Sequence, residues 1–181
     1  MKIYVGKSKL HGKGIFAKRN IKKGETIFVV EGKKVKFLIS DEKKAKVAGL
    51  NWVGYGKNTW INPIRSSVRL NHSCDPNAFV RGRKKIAARK NIKKGEEVLI
   101  DYSLNEGDIF WSMKCNCGTK NCRKNIKSIQ FLPKTFYLKS KAYIPKYYQK
   151  VFDKFNEKNF KNPVDFRTTW VHFLKRDFVV K

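Results

Sequence analysis

Four cysteines are the residues whose type and spacing most directly indicate chemistry in this sequence. Three of them lie within the segment KCNCGTKNCRKN, and the fourth lies far upstream in the segment RLNHSCDPN. In an intracellular protein, a tight cysteine cluster favours metal binding over disulfides. Tetrahedral zinc takes four ligands and no histidine lies near the cluster, so the upstream thiol completes the predicted set: Cys74, Cys115, Cys117 and Cys122. The alternative is four unrelated buried or free thiols.

The segment RLNHSCDPN, residues 69–77, concentrates hydrogen-bonding groups and turn formers in one short stretch. Burying such a loop is unfavourable unless each polar group finds a partner, so it is either an exposed turn or an organised site. The cysteines favour the organised site. A bound zinc ion would tie residues 115–122 against this loop.

Two weaker signals lie outside these segments. Gly12 and Gly14 bracket Lys13 in HGKG, and two glycines allow a backbone to approach a ligand closely, although they also occur in tight turns. Tyr102 follows Asp101 at the end of an apolar run, where a lone tyrosine is usually a core residue. Neither signal identifies a ligand by itself.

The elements that position these residues contain a repeat, because the hexapeptide NIKKGE occurs at residues 20–25 and again at residues 91–96. Each copy lies between short apolar stretches, which predicts strand, turn and strand, with Gly24 and Gly95 at positive φ. Two copies with dissimilar flanks do not make a solenoid. The first copy follows HGKG and the second leads into Tyr102.

The C-terminal third of the chain has a helical pattern. Pro145 can begin a helix, whose apolar face would comprise Tyr147, Tyr148, Val151, Phe152 and Phe155. A second apolar face would comprise Phe166, Trp170, Phe173 and Leu174. We expect two short amphipathic helices packed on the core. Their aromatic rings could stack on nucleobases, but aromatic residues at helical spacing more often form a packing face.

Composition limits the classes of protein. The chain has 181 residues, 41% of them hydrophobic, which fits one domain with a substantial core. No segment approaches the roughly 20 apolar residues of a membrane span, so we expect an intracellular, soluble protein of the cytoplasm, nucleus or nucleoid without a membrane partner. The 42 basic and 14 acidic residues give a formal charge of +28. Nucleic acid is the default partner of such a surface, although a lysine-rich composition in the source organism explains the charge equally well.

Four motifs in order, HGKGIFAKRNIKKGE, RLNHSCDPN, IKKGEEVLIDY and CNCGTKNCRKNI, resemble the SET-domain family of protein lysine methyltransferases with a post-SET zinc-binding segment. The resemblance covers about residues 3–126. It implies a mainly β fold of several small sheets, with a pseudoknot in which the NHSC segment threads under the DY loop and the two NIKKGE turns belong to separate sheets. We predict a SET domain at residues 1–113, a post-SET zinc segment at 114–126 and a helical C-terminal extension at 127–181, packed on the core.

The resemblance also implies roles for individual residues. Tyr102 matches the catalytic tyrosine, and the predicted S-adenosylmethionine-binding residues are Gly12, Lys13, Gly14, Asn71, His72, Tyr102 and Ile126. The four cysteines match the zinc ligands, and this zinc would be structural because four thiolates leave no open position. Ile100 replaces an aromatic residue found in many members, which would leave room for higher methylation. Candidates for the aromatic residue of the lysine channel are Trp52, Tyr55 and Trp60.

The predicted function is S-adenosylmethionine-dependent methyl transfer to the ε-amine of a lysine in a histone-like, chromosomal or ribosomal protein. The alternative is a catalytically inactive, basic, zinc-containing module that binds nucleic acid or chromatin, and a third hypothesis is a family member acting on a non-lysine acceptor. A protein of charge +28 would repel a free basic peptide within a Debye length of about 8 Å. We therefore expect the target to be met on nucleic acid or a ribonucleoprotein.

Overall fold

The strands of this protein are short and the helices lie near the end of the described chain. The computed structural model describes residues 2–36, 53–56, 59–109 and 111–157. The strands are β1 (Ile3–Lys7), β2 (Lys13–Ala17), β3 (Thr26–Val29), β4 (Gly32–Lys36), β5 (Val53–Gly56), β6 (Thr59–Pro63), β7 (Asn71–His72), β8 (Ala78–Arg81), β9 (Lys85–Ala88), β10 (Leu99–Ile100), β11 (Ser112–Lys114) and β12 (Asn125–Lys127). The α-helices are α1 (Lys134–Ser140) and α2 (Lys146–Glu157).

Within the described residues, these strands form five small sheets. Three sheets have two strands each, β1 with β2, β7 with β10 and β11 with β12, and the other two have the orders β3-β9-β8 and β4-β6-β5. The β7–β10 pair is parallel, and the other pairs are antiparallel. The prediction of a mainly β fold with several small sheets is confirmed. The β11–β12 hairpin crosses both predicted segment boundaries, at residues 113 and 126.

The two NIKKGE turns lie side by side. Ile21 and Ile92 form an antiparallel bridge in which each N–H donates to the other residue's carbonyl, at 2.8 and 2.9 Å. The first copy joins β2 to β3 and the second joins β9 to β10, and β3 pairs with β9. The expectation that the turns belong to separate sheets is therefore wrong. Both glycines of the turns have positive φ as predicted, 81° at Gly24 and 84° at Gly95.

Reciprocal hydrogen bonds explain why the copies meet. The Asn91 side-chain oxygen accepts from the Lys23 N–H of the other copy at 2.8 Å, and the Asn20 side-chain oxygen accepts from the Lys94 N–H at 2.9 Å. The N–H of each turn glycine donates to the strand that precedes the other copy, on Ala88 and Ala17 respectively, at 2.8 Å in both cases. Each copy thereby satisfies backbone donors that a turn alone would leave unpaired.

Two large hydrophobic clusters, and a small one around the cysteines, hold these elements together. The main cluster joins the sheets and includes Ile15, Ile21, Ile86, Ile92 and Val98, all almost fully buried. The second cluster packs the helices against the chain that follows β10 and comprises Leu104, Ile129, Leu132, Tyr137, Ile144, Tyr148 and Phe152. The first predicted amphipathic helix is confirmed as α2, and Tyr148 and Phe152 show that its aromatic stripe packs inward. The second, at residues 166–174, lies outside the described residues.

The helices also answer the question of a membrane span. Among the residues that the structure describes, no helix is long and apolar enough to cross a bilayer.

Candidate functional site

A short parallel ladder brings the two central motifs together. Asn71 lies opposite Leu99 and His72 lies opposite Ile100, and the Ser73 N–H donates to the Ile100 carbonyl at 3.0 Å. The residues that follow β10 are therefore placed beside the NHSC segment. This pairing is the contact that the predicted pseudoknot requires.

Asn71 connects the ladder to the Gly-x-Gly loop. Its buried side-chain amide nitrogen lies 3.2 Å from the His11 carbonyl oxygen, 3.2 Å from that of Lys13 and 2.8 Å from Glu97 Oε1, so its two N–H groups are shared among these three acceptors. Gly14 is required by this arrangement, because a Cβ there would lie 2.0 Å from Glu97 Oε1. Gly12 has a φ of 50°, which favours glycine. The structure thus places the predicted Gly12–Gly14 segment directly against Asn71.

Glu97 is a residue of this site that the sequence did not indicate. One carboxylate oxygen accepts from Asn71, and the other accepts from the Ser8 hydroxyl at 2.9 Å. The carboxylate therefore links Ser8, which follows β1, to Asn71 in β7, and Asn71 connects it to the Gly-x-Gly loop. In the sequence Glu97 looks like a solvated charge beside several lysines, and the only signal was its position at the start of the run VLI that leads to Tyr102.

The side chain of His72, a residue of the β7–β10 ladder, is buried and lies next to Cys74. Its Nδ1 accepts the Tyr102 backbone N–H at 3.2 Å, so in the neutral ring the proton resides on Nε2, which lies 3.4 Å from Cys74 Sγ. Burial, together with the nearby Arg123 charge, lowers the pKa of His72 to about 3. The imidazole is therefore neutral at pH 7 and acts as a fixed hydrogen-bonding bridge.

Tyr102 presents its hydroxyl next to the same strand. The hydroxyl donates to the Leu70 carbonyl at 2.6 Å, and the ring centroid lies 5.2 Å from that of His72 and 6.5 Å from that of Trp111. Burial raises the pKa of Tyr102, and the charge of Glu97 raises it further. The phenol stays protonated at neutral pH, so it can orient a reacting group but is not a general base.

A buried ion pair between Asp101 and Arg123 lies next to these residues. Asp101 Oδ1 accepts from Arg123 Nη2 at 2.6 Å and from the Ser103 N–H at 3.1 Å, and Asp101 is only 2% exposed. Burial raises the pKa of Asp101, and the guanidinium opposes that shift. The Arg123 backbone N–H also lies 3.4 Å from Cys74 Sγ. Arg123 was not indicated by the sequence because it looks like one more basic residue.

The four cysteine sulfur atoms converge as the spacing predicts. All lie within 4.8 Å of one another, with 3.8 Å between the sulfurs of Cys74 and Cys115 and 3.7 Å between those of Cys115 and Cys122. Zinc–thiolate bonds of about 2.3 Å give a tetrahedral edge of about 3.8 Å, so the donor set fits zinc. Burial raises the pKa of the Cys74 and Cys115 thiols. Metal binding would therefore have to displace their protons.

Ile126 connects the cysteines to Tyr102. It is 1% exposed and belongs to a small apolar cluster with Cys74 and Cys115, against which Tyr102, Trp111 and Met113 pack. The predicted contact of Ile126 with a cofactor stays a prediction.

Four further candidates concern the substrate lysine. Ile100 is buried in the ladder, and Trp60 is buried in β6. The Tyr55 ring lies 4.6 Å from Lys34 Nζ and 5.3 Å from Arg83 Cζ. Trp52 is outside the described residues, so the choice of a channel aromatic stays a prediction.

Comparison with known proteins agrees with the motif pattern. A model of the SET domain matches residues 12–103. Histone-lysine N-methyltransferase 2B from Homo sapiens is 31% identical over 134 residues, which are 66% of this chain and 5% of that protein. Histone-lysine N-methyltransferase trr from Drosophila melanogaster is 28% identical over 136 residues, covering 67% of this chain and 6% of that protein. The chain thus spans only a small part of the length of these relatives.

A solved structure supports the fold. The crystal structure of KRYPTONITE in complex with mCHH DNA, H3(1–15) peptide and SAH superimposes with a TM-score of 0.56 at 21% identity, over 68% of this chain and 29% of that one. This likeness extends to the arrangement of small β-sheets.

Proposed function

Because the chain belongs to the SET domain family, we propose that it transfers a methyl group from S-adenosylmethionine to the ε-amine of a lysine in a protein. The observation that carries this proposal is the parallel ladder of β7 and β10, which sets Tyr102 beside Asn71 and His72. Asn71 in turn holds the Gly-x-Gly loop. A module that only binds has no evident need for this convergence.

We assign cofactor binding to the residues around Asn71. The backbone of Gly12, Lys13 and Gly14, the Asn71 and His72 pair, Tyr102 and Ile126 would line the pocket, and Glu97 offers a carboxylate beside the loop. S-adenosylmethionine supplies an electrophilic methyl on a sulfonium when bound. The chemistry it would supply is displacement of that methyl from sulfur to the acceptor nitrogen, with a neutral thioether as the leaving group.

The acceptor amine must be neutral before it can attack. A free lysine has a pKa of about 10.4, so deprotonation at pH 7 costs roughly 4.6 kcal/mol. A narrow apolar channel, together with the positive sulfonium, would disfavour the ammonium form, and the proton would leave to solvent before the attack. Tyr102 then contributes by alignment, because its protonated hydroxyl can orient the amine and interact with the polarised methyl.

We propose that the zinc site is structural. Cys74, Cys115, Cys117 and Cys122 would hold the ion and leave no position for water or substrate. Residues 114–126 then act as a post-SET segment attached to the SET domain at residues 1–113. The pairing of β11 with β12 joins the last residues of the proposed SET domain to the end of this segment and supports the attachment. We propose that the chain after it, residues 127–181, is a helical extension.

For the substrate, we propose a lysine in a histone-like, chromosomal or ribosomal protein that is bound to nucleic acid. The relatives are named histone-lysine N-methyltransferases, and the KRYPTONITE complex contains both DNA and an H3 peptide. The charge of +28 favours a target presented on a polyanion. We therefore propose that the protein acts where such nucleoproteins occur, in the nucleus or nucleoid for a chromosomal target or in the cytoplasm for a ribosomal one.

The decisive test is transfer of radiolabelled methyl into a panel of chromatin and ribosomal proteins, with and without nucleic acid. We expect label on a protein lysine and a loss of about 100-fold or more in Tyr102→Phe. Tyr4→Phe is the matched control, since Tyr4 is an exposed tyrosine on β1, and it should retain full activity. Wild-type rates in Tyr102→Phe, or no label from zinc-loaded protein, would contradict the proposal.

A further inference from the structure

A pocket of about 330 Å³ lies between the sheets and the start of α2. Its walls come from β5, from β8 with the turn that follows, and from residues 142–148. None of the residues predicted to bind cofactor or zinc lines it. It is therefore distinct from the predicted cofactor and zinc sites, although Tyr55 is also a candidate for the lysine channel. Its volume falls in the range of small-ligand sites.

Aromatic rings form much of the pocket wall. Tyr55, Phe79, Tyr143 and Tyr147 line it and are only partly buried. The rings of Phe79 and Tyr143 meet edge to face with centroids 5.1 Å apart. Tyr148 also lines the pocket, and its side chain is buried in the helix-packing cluster. Partly exposed rings around an open space can stack on a flat aromatic ligand.

Cationic groups surround these rings. Arg83 and Lys146 line the pocket and are exposed, and Lys34 and Arg83 lie over the Tyr55 ring. The Arg89 guanidinium lies 4.4 Å from the Tyr143 ring centroid. Among the described residues that line the pocket, none is acidic. The ligand should therefore be anionic as well as aromatic.

A fifth cation, Arg81, also lines the pocket but is already engaged. Its guanidinium donates to the Gly24 carbonyl at 2.9 Å and to the Thr26 hydroxyl. These bonds fix Arg81 against the first NIKKGE turn. Arg83 and Lys146 are thus the pocket cations best placed to meet a ligand.

We propose that this pocket binds an unpaired nucleotide of a single-stranded nucleic acid. The base stacks among the rings of Tyr55, Tyr143 and Tyr147, and the phosphate meets Arg83 and Lys146. Stacking on aromatic side chains with a basic groove along the backbone is how proteins bind single strands without sequence preference. A paired base has both faces covered by its neighbours, so a duplex could offer only its phosphates. An acidic peptide would use the cations but leave the rings without a partner.

The test measures fluorescence anisotropy of a labelled single-stranded oligonucleotide of mixed sequence, as RNA and as DNA, with the full chain at physiological salt. Tyr55→Leu removes a ring without changing charge and should weaken binding at least about fivefold. The matched control Tyr4→Leu removes an exposed ring from β1 and should bind as wild type does. Circular dichroism melting confirms that each variant is folded.

Charge is tested separately, because any lost lysine or arginine weakens binding to a polyanion. Arg83→Gln should weaken binding more than Lys139→Gln, which removes one exposed charge from α1. Arg83→Gln should also reduce the magnitude of the slope of log affinity against log salt by about one. Photo-crosslinking with a halogenated uridine oligonucleotide should map to Tyr55, Tyr143 or Tyr147.

Three outcomes would overturn the proposal. The pocket variants could bind like their controls, the crosslinks could map outside residues 53–56, 79–83 and 142–148, or a duplex of equal length could bind as tightly as the single strand. Equal competition by an acidic peptide would reassign the pocket to protein binding. None of these measurements depends on methyl transfer.

Discussion

At the scale of single residues, Glu106 has a protonation state set by its surroundings. One carboxylate oxygen accepts the backbone N–H groups of Gly107 and Asp108, both at 2.8 Å. Burial nevertheless dominates and raises the pKa of Glu106 to about 7. Burial also raises the pKa of Tyr147, to about 12, and the charge of Glu106 adds to that shift. A carboxyl beside α2 therefore titrates close to neutral pH.

This shift predicts a pH dependence of stability. The folded protein keeps the Glu106 proton up to a pKa of about 7, whereas the unfolded chain releases it near its ordinary pKa of 4.5. The free energy of unfolding should therefore fall as pH rises through this window. The Gln side chain of Glu106→Gln stays neutral, so this variant should not lose stability as the pH rises. Between pH 5 and pH 8 its free energy of unfolding should therefore increase relative to that of wild type, by no more than about 3 kcal/mol.

Urea unfolding at both pH values measures this difference. Glu157→Gln, which changes an exposed glutamate in α2, is the control and should track wild type at both. A Glu106→Gln variant with the same pH profile as wild type would show that the carboxyl is not protonated in the folded state.

The residues of the candidate site differ in how far the sequence indicates them. Three cysteines were predicted from ligand type and local spacing, and Cys74 was added because zinc needs a fourth ligand; the four sulfurs do converge. Glu97 and Arg123 were not indicated, since their roles depend on partners brought close only by the fold. Arg123 contacts Asp101, and Glu97 contacts Ser8 and Asn71. In a chain so rich in charge, composition hides the few charged residues that are structural.

At the scale of elements, the paired NIKKGE turns form a small symmetric unit. Each asparagine side chain accepts a backbone N–H of the other copy, and the isoleucines of the two copies are almost fully buried. The first copy of the hexapeptide follows the end of β2, and the second copy precedes β10. The unit therefore connects the Gly-x-Gly loop to Tyr102 through the backbone.

The symmetry makes a quantitative prediction. Asn20→Ala and Asn91→Ala should each lower the free energy of unfolding by a similar amount, about 0.5–1.5 kcal/mol, because each removes one equivalent hydrogen bond. Asn20→Asp and Asn91→Asp keep the accepting oxygen and should retain stability. Urea unfolding of the four variants checks this. Clearly unequal losses for the two alanine variants would show that the pairs are not equivalent.

The sequence predicted the backbone conformation of each NIKKGE turn, but it did not predict that the two copies pair with each other. Gly24 and Gly95 adopt the positive φ that a Lys-Lys-Gly turn favours. The bridge between Ile21 and Ile92 joins residues far apart in the chain, and periodicity carries no information on such contacts. The α2 helix was predicted for the same local reason, because Pro145 and a repeating aromatic face are sufficient signals.

At the scale of the whole molecule, the cysteine cluster joins the NHSC segment to the loop between β11 and β12, which also contacts the core through the Arg123–Asp101 ion pair. Cys74 follows β7, which is paired with β10, and Cys115 lies 41 residues later, next to β11. The apolar cluster around these sulfurs is small, with Ile126 as its other buried member. Burial alone therefore stabilises this junction weakly. A bound metal ion would cross-link it, and the same ion would hold Ile126 and Trp111 against Tyr102.

Removing the metal should therefore affect stability and activity together. Closing a loop of this length is worth roughly 4 kcal/mol by chain entropy, so chelation under reducing conditions should lower the Tm by several degrees and release one zinc ion per chain. Adding zinc should restore both the Tm and methyl transfer, and Cys74→Ser should resemble the chelated protein without further response to chelator. A wild-type Tm that a chelator leaves unchanged would mean that thiol packing alone closes the junction. In that case the four cysteines are neighbouring thiols without a shared ion, and the orientation of Tyr102 depends on β10 and Leu70 without help from a metal.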